Sequence, residues 1–304
     1  MKKSYHLCLS AGKDGLLCRN EEDYTRMVNC ICLAALRTDT DLLAYSVMSS
    51  HVHICARTKC QEEFMACMRY MFTRYFNNCH SRTGRLGEMK HFVLELNGLY
   101  HTLAAISYVL RNPLHHGVAA TPFAYRFSSV NAVFRTALGK TLPSSLPRKS
   151  MYRYLPDSFN LPDHVVMDES GLLIPDSVID VADVEHLFVT PRSFMYYMNR
   201  LSGKSWEDEQ GKDASDSAPI TLLDIEKGHN IQEMLAAEHG KADYNTVSDI
   251  DACKVIDNYL RDHVPDVKSV YELSEDSRKR IARDIRARYF FQKSQLSRCL
   301  FIQI

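Results

Sequence analysis

This sequence of 304 residues has no long apolar run and no cysteine pair with the Cys-x-x-Cys spacing. No hydrophobic stretch reaches the roughly 20 residues that a membrane-spanning helix needs. The N-terminal apolar run is too short to be a signal peptide, because His6 and Ser10 interrupt it. The ten cysteines include no Cys-x-x-Cys pair, so a zinc ribbon is not expected. Several cysteines lie in apolar stretches, as reduced buried cysteines do, and we therefore expect a cytoplasmic protein.

Two common catalytic motifs are missing as well. The sequence has no glycine-rich phosphate loop, so nucleotide hydrolysis is not expected. It has no Gly-x-Ser-x-Gly motif, so the pair Ser49-Ser50 before His51 does not indicate a serine nucleophile. The content of hydrophobic residues is 45%, which is ordinary for a globular protein and sufficient for a core.

The net charge is zero, but the charges are unevenly distributed. Residues 1–150 have a formal balance of +9, residues 151–260 of −13 and residues 261–304 of +4. Basic segments suit a polyanionic partner, so the two ends favour nucleic acid as a ligand. The alternative is an ordinary fluctuation of charge along the chain.

The first part of the chain alternates between strand and helix patterns. The apolar spacing predicts strands over 5–10, 42–56 and 91–96, and helices over 21–36, 61–80 and 99–111. The strand-like run over 42–56 is bent or split near residues 48–50, and Asn112-Pro113 is expected to stop the last helix. This β-α-β-β-α-β-α order predicts an α+β fold, with helices packed on a ferredoxin-like antiparallel sheet.

The rest of the chain divides by composition. We predict a first domain over 1–130, a proline-containing linker over 131–163 and an acidic middle region over 164–246, with a mobile loop at 203–219. Helical spacing returns in residues 247–304, with helices predicted over 247–264, 276–289 and 293–300.

The last two of these helices are joined by a short connection. They therefore resemble a helix-turn-helix, in which the final helix would present Lys293, Gln295 and Arg298 to DNA. An ordinary amphipathic helical bundle is the alternative.

The sequence His51-Val52-His53 carries the chemistry. On a strand, alternate side chains share a face, so the two imidazoles can bind one divalent metal while Val52 points into a core. Tyr108 lies on a predicted helix, and Asn112 is four residues further along, on the same helical face. Tyrosine can attack phosphorus and form a covalent phosphotyrosine, while the amide oxygen of Asn112 can complete the metal site. A second metal pair at His115-His116 is not expected, because adjacent residues on a turn diverge.

Four segments carry a resemblance to a known family. Residues 48–54 are similar to the His-hydrophobic-His strand of IS200-like, single-tyrosine (HUH, Y1) transposases. Residues 74–84, RYFNNCHSRTG, resemble the Arg-Tyr-Phe-Asn-x-x-His-x-Arg-x-Gly segment of the REP-associated tyrosine transposase branch. Residues 108–117 resemble the tyrosine helix of that branch, and residues 125–129 its Tyr-x-x-Ser-Ser segment. The resemblance covers about residues 1–130 and leaves out the acidic middle region.

The resemblance implies an activity and a set of ligands. It implies that His51, His53 and Asn112 bind Mg²⁺ or Mn²⁺ and that Tyr108 is the nucleophile. It also implies hairpin-containing single-stranded DNA as the substrate, a 5′-phosphotyrosine intermediate and a free 3′-OH. Five basic residues are candidates for DNA binding in this first domain: Arg69, Arg74, Arg82, Arg85 and Lys90. Two alternatives stay open: a non-catalytic protein that binds hairpin DNA, and a relaxase or replication initiator with the same His-x-His chemistry.

Overall fold

A computed structural model of the chain describes residues 1–155, 161–201, 204–210, 220–226, 247–289 and 291–303. Its first part contains four strands, β1 (Lys3–Ser10), β2 (Asp41–Val47), β3 (His51–Thr58) and β4 (Phe92–Leu96). Three long helices lie between and after them, α1 (Glu21–Arg37), α2 (Gln61–Cys79) and α3 (Leu99–His115). The strands form one sheet in the order β2-β3-β1-β4, and every neighbouring pair is antiparallel. The predicted ferredoxin-like arrangement is confirmed.

The two faces of the sheet are covered by different helices. Val52 and Ile54 of β3 are buried in the cluster that contains the apolar side chains of α1 and α2. His51 and His53 alternate with them and lie on the opposite face, which α3 covers. The prediction that Val52 points into a core is therefore confirmed.

The strand-like run over 42–56 is split into β2 and β3. Residues 48–50 form the turn, in which the amide of Met48 donates to the carbonyl of His51 at 2.8 Å. The carbonyl of Ser49 accepts from the amides of Leu17 and Cys18, which ties the turn to the loop after β1. Strand β3 therefore begins at His51.

Helix α3 was predicted to end at Arg111, but it continues through Pro113 to His115. A proline inside a helix removes one backbone hydrogen bond and crowds the preceding turn. Here it lies in the last turn, where few hydrogen bonds depend on it, and Pro113 itself is buried. The amide of His116 still donates to the carbonyl of Asn112 at 3.1 Å. The extra turn keeps Asn112 in regular helical geometry below Tyr108.

The remaining chain is mostly helical where it is described. Its helices are α4 (Arg148–Met151), α5 (Val181–Phe188), α6 (Pro191–Asn199), α7 (Lys204–Gln210), α8 (Leu222–Ile225), α9 (Asp249–His263), α10 (Glu275–Arg288) and α11 (Lys293–Leu300). The helical C-terminal region is confirmed. The predicted loop over 203–219 differs, because α7 occupies its first part; residues 203 and 211–219 lie outside the described residues. None of the helices that the structure describes has the length and apolarity needed to cross a bilayer.

The middle region packs on both faces of the sheet. On one face, the side chain of Asn29 in α1 donates to the carbonyl of Gly171 and accepts from the amide of Leu173. On the other face, Val184 and Phe194 belong to the apolar cluster built around α3. The helices that follow the sheet domain thus complete its hydrophobic core.

Candidate active site

Strand β3 and helix α3 bring the predicted site residues together. The rings of His51 and His53 lie with their centroids 5.0 Å apart, and the ring of Tyr108 lies 5.4 Å from that of His53. Oδ1 of Asn112 is 3.3 Å from Nε2 of His51. All four side chains are buried, and they converge on one small volume between the sheet and α3.

A carboxylate that the sequence analysis did not single out completes this cluster. Oε2 of Glu226 accepts a hydrogen bond from the Tyr108 hydroxyl at 2.6 Å and lies 3.0 Å from Nε2 of His53. Glu226 belongs to the acidic middle region, 118 residues after Tyr108. One glutamate in an acidic segment gives no local signal, so only the tertiary fold could reveal this contact.

Helix α8 holds Glu226 in place. The side chains of Thr221 and Asp224 form a capping box at its start, and Leu222 and Ile225 are buried in the cluster around α3. The backbone of Ile220 is bonded twice to the side chain of Gln210, at 2.8 Å and 3.0 Å. Glu226 follows α8 directly, so these contacts fix the position of its carboxylate in the site.

His116 also reaches the site, although the sequence analysis set it aside. Its ring lies 4.7 Å from that of His51, whereas the ring of His115 lies 4.8 Å from that of Tyr108. The two neighbours do diverge, as expected, but both lie against site residues. His115 and His116 reach the site because α3 continues through Pro113. The sequence analysis expected the helix to end at Arg111 and therefore did not predict this.

A buried histidine lies behind His53. Nε2 of His6 is 2.9 Å from Nδ1 of His53, and the two rings are stacked with centroids 5.0 Å apart. Burial, together with the charge of His53, holds the pKa of His6 well below its usual range. His6 is therefore neutral, and its Nε2 can accept a hydrogen bond from the Nδ1–H of His53. This contact orients the His53 ring so that Nε2 faces Glu226.

The electrostatics of the site are those of a buried charge pair beside a neutral phenol. Burial opposes a charge on His53, but Cys8 and Glu226 outweigh it and raise its pKa to about 10. Burial likewise opposes a charge on Glu226, but the hydrogen bond from His53 lowers its pKa below its ordinary value. Burial and the Glu226 charge raise the pKa of Tyr108 well above its usual value, so its hydroxyl keeps the proton.

The donor atoms fit a divalent cation. Nδ1 of His51 is 3.1 Å from the Ser50 hydroxyl, which leaves Nε2 directed toward Asn112. Ligand atoms of His51, His116 and Glu226 all lie within 4.8 Å of one another. Two imidazoles, a carboxylate and a nearby amide oxygen are a donor set that Mn²⁺ accepts and that other transition metals also bind. His51 is common to this group and to the predicted group of His51, His53 and Asn112.

Residues 74–84 build structure rather than the site. Asp23 of α1 is fully buried and accepts from the hydroxyl of Tyr75 at 3.1 Å, from His80 at 2.9 Å and from the amide of Arg19 at 2.8 Å. These bonds fasten the end of α2 to the start of α1. In the following loop, the Arg82 guanidinium donates to Asn77 and to backbone carbonyls.

Residues 125–129 close the edge of the sheet. The hydroxyl of Tyr125 donates to the carbonyl of Val47 at 2.6 Å, and the amide of Val47 donates to the carbonyl of Phe127 at 3.0 Å. The hydroxyl of Ser129 accepts from the amide of Tyr45 at 3.0 Å. This segment therefore covers the exposed edge of β2, the strand next to the histidine-bearing β3.

The predicted DNA contacts are placed less uniformly. In the first domain, Lys90 is exposed, whereas Arg69 and Arg85 both donate to the carbonyl of Met89 and Arg74 donates to the Tyr70 hydroxyl.

The residues predicted in the final helix differ among themselves too. Lys293 is exposed, but Gln295 and Arg298 are bonded to Asp249 of α9. The two side chains are thus already engaged inside the protein.

Comparison with known proteins gave one named likeness. No family model matches the chain, and no curated protein matches it. Two chains among the solved structures match, and one of them is a REP-associated tyrosine transposase bound to a REP hairpin. The match has 13% sequence identity and a TM-score of 0.38, and it covers 47% of this chain and 84% of the other.

Proposed function

We propose that this protein is a metal-dependent transposase that cleaves and rejoins single-stranded DNA containing a hairpin, through a 5′-phosphotyrosine intermediate. The observation that carries the proposal is the convergence of Tyr108 with His51, His53 and Glu226. A nucleophile, a carboxylate that accepts its hydrogen bond at 2.6 Å and two imidazoles that could bind a metal lie in one buried cluster, and these are the groups that such a reaction needs.

The proposed reaction is a transesterification. The oxygen of Tyr108 forms a bond to phosphorus, the bond from phosphorus to the 3′ oxygen breaks, and that oxygen takes up a proton from water and leaves as a 3′-OH. The Tyr108 hydroxyl keeps its proton in the resting site and must lose it during the attack, and Glu226 is the carboxylate already hydrogen-bonded to it. The reverse reaction, attack by a 3′-OH on the phosphotyrosine, rejoins the strand.

A divalent ion would be held by His51 with the other donors around it. The predicted partners are His53 and Asn112; His116 and Glu226 form the second candidate group with His51. When bound, such an ion would polarise a phosphate oxygen and neutralise its developing charge. Manganese titration of His51→Ala, His53→Ala and His116→Ala, followed by calorimetry, would separate the two groups. The variant that still binds with wild-type affinity identifies the residue outside the ligand set.

Access to Tyr108 requires a rearrangement. Only 1% of Tyr108 is exposed, and its hydroxyl is bonded to Glu226. A scissile phosphate would therefore have to replace or join Glu226 at the hydroxyl. The same observation favours the second candidate function, a protein that binds hairpin DNA without cleaving it. Such a protein could keep Tyr108 buried and inaccessible to a phosphate.

One experiment separates the two candidates. The protein is incubated with Mn²⁺ and labelled single-stranded hairpin DNA from the sequence flanking its own gene, and covalent adducts are resolved on a denaturing gel. We expect an adduct that Tyr108→Phe abolishes, with unchanged DNA binding, because phenylalanine has no oxygen to bond to phosphorus. Tyr100→Phe makes the same chemical change on the same helix and should leave the adduct intact. Binding without any adduct, across several hairpins and with both Mg²⁺ and Mn²⁺, would favour the non-catalytic function.

A further inference from the structure

Helix α10 presents a basic face to solvent. Its apolar residues Ile281, Ala282 and Ile285 are buried in the C-terminal core, and this fixes which side of the helix faces outward. The outward side carries the basic residues Lys279, Arg280, Arg283 and Arg286. Together with Asp276, Ala282 and Gln303, they line a groove of about 410 Å³.

The two central arginines are available for an external ligand. Arg283 and Arg286 are exposed, and among the described residues neither has a carboxylate within salt-bridge distance. Lys279, by contrast, pairs with Glu275 at 2.7 Å, and Arg280 donates to the Ser277 hydroxyl at 3.2 Å. Asp276 also lines the groove, but the guanidinium groups of Arg283 and Arg286 form no salt bridge with it or with another described residue.

Helix α11, which the sequence analysis expected to face DNA, is used differently. Its residues Leu296, Cys299 and Leu300 are buried, and the carbonyl of Cys299 accepts from the Arg19 side chain at 2.8 Å. Arg298 and Gln295 are bonded to Asp249. Helix α11 thus anchors the C-terminal helices to the loop after β1 and offers few free donors.

We propose that the α10 face, defined as Lys279, Arg280, Arg283, Arg286 and Gln303, is a docking surface for the phosphate backbone of the DNA on which this protein acts. The inference rests on the proposed function and adds a contact outside the active site. Arginine binds phosphate through two parallel N–H donors, which suits a backbone better than an isolated ammonium does. Residues 279 to 286 span about 10 Å of helix axis at about 1.5 Å per residue. At about 3.4 Å of axial rise per nucleotide, this length matches about three nucleotide steps of one strand.

The test is the salt dependence of DNA binding. Affinity for the same labelled hairpin is measured between 50 mM and 200 mM salt in a Tyr108→Phe background, so that cleavage cannot interfere. In this background, R283Q/R286Q should weaken binding by about 10-fold at 0.1 M salt and lower the slope of log affinity against log salt by about 1.8. The matched control K254Q/R261Q removes two exposed positive charges from the neighbouring helix α9 and should change both quantities little. All variants should keep the wild-type melting temperature, because each altered side chain is exposed.

The outcomes separate this inference from the proposed function. Equal slopes for R283Q/R286Q and its control would overturn the α10 surface, even if the Tyr108-dependent adduct forms normally. If K293Q lowered the salt slope and R283Q/R286Q did not, the phosphate contact would lie on α11, and this result would also overturn the inference. A parent protein that binds no hairpin DNA at 50 mM salt would contradict both proposals together.

Discussion

The two faces of the sheet are both covered by helices, but β3 contributes side chains of opposite chemistry to them. On the α1 and α2 side, β3 contributes Val52 and Ile54 to an apolar core. On the α3 side, the same strand contributes His51 and His53 to a cluster of ionisable groups. Apolar burial stabilises the fold in proportion to area, whereas buried charges cost free energy unless they are paired. The alternate positions of β3 that carry ionisable groups therefore contribute less to stability, and their residue types are better explained by a reaction than by folding.

The largest expected effect comes from breaking the charge pair on the α3 side. Glu226→Leu leaves the His53 imidazolium buried without its partner, so the free energy of unfolding should fall by about 3–5 kcal/mol. The double variant His53→Leu/Glu226→Leu removes both charges and should recover most of that loss. Urea denaturation of the two single variants and the double variant measures the coupling. Additive losses would mean that the pair contributes as two independent side chains.

A smaller loss is expected on the apolar face of the same strand. Ile54 is fully buried, so Ile54→Ala should lower the free energy of unfolding by about 2–4 kcal/mol through lost burial and a residual cavity. No substitution of a neighbouring residue should rescue it, which is the contrast with Glu226. If Ile54→Ala abolished the covalent adduct while leaving stability unchanged, the assignment of stability to the apolar face and of the reaction to the α3 face would be wrong.

The sheet domain was predictable because its signals are local. Alternation along β3, the i to i+4 relation between Tyr108 and Asn112, and the order of strands and helices each depend on residues close in sequence. The convergence of His51, His53, Tyr108 and Asn112 follows from those signals together with the topology.

Other parts of the site depend on contacts that local signals do not encode. Glu226 reaches Tyr108 because Leu222 and Ile225 pack against α3, and nothing near residue 226 marks that docking. His116 joined the site only because α3 continues through Pro113, against the usual effect of proline. The same limit explains α11, whose Gln295 is occupied by Asp249 rather than turned to solvent.

Metal binding offers a way to sharpen the comparison. If the α3 face holds a divalent ion, Mn²⁺ at 100 times its dissociation constant should stabilise the protein by about 2.7 kcal/mol. His51 belongs to both candidate ligand groups, so His51→Ala should remove the shift in melting temperature. His164→Ala, which changes an exposed histidine, should keep it. An equal shift in both variants would place the ion away from this face.

The smallest effect tests a polar contact on the apolar side. Tyr75 donates to the buried carboxylate of Asp23, and a hydrogen bond to a charged group contributes about 1.5–3 kcal/mol. Because His80 and the amide of Arg19 also bond Asp23, we expect the lower end, about 1.5 kcal/mol, for Tyr75→Phe. Tyr70→Phe is the matched control, since Tyr70 lies on the same helix, is 62% exposed and accepts a hydrogen bond at its hydroxyl from the exposed Arg74. Chemical denaturation should show a loss for Tyr75→Phe alone, with the Tyr108 adduct retained in both. A loss of the adduct in Tyr75→Phe would mean that the Asp23 contacts position the active site as well as the helices.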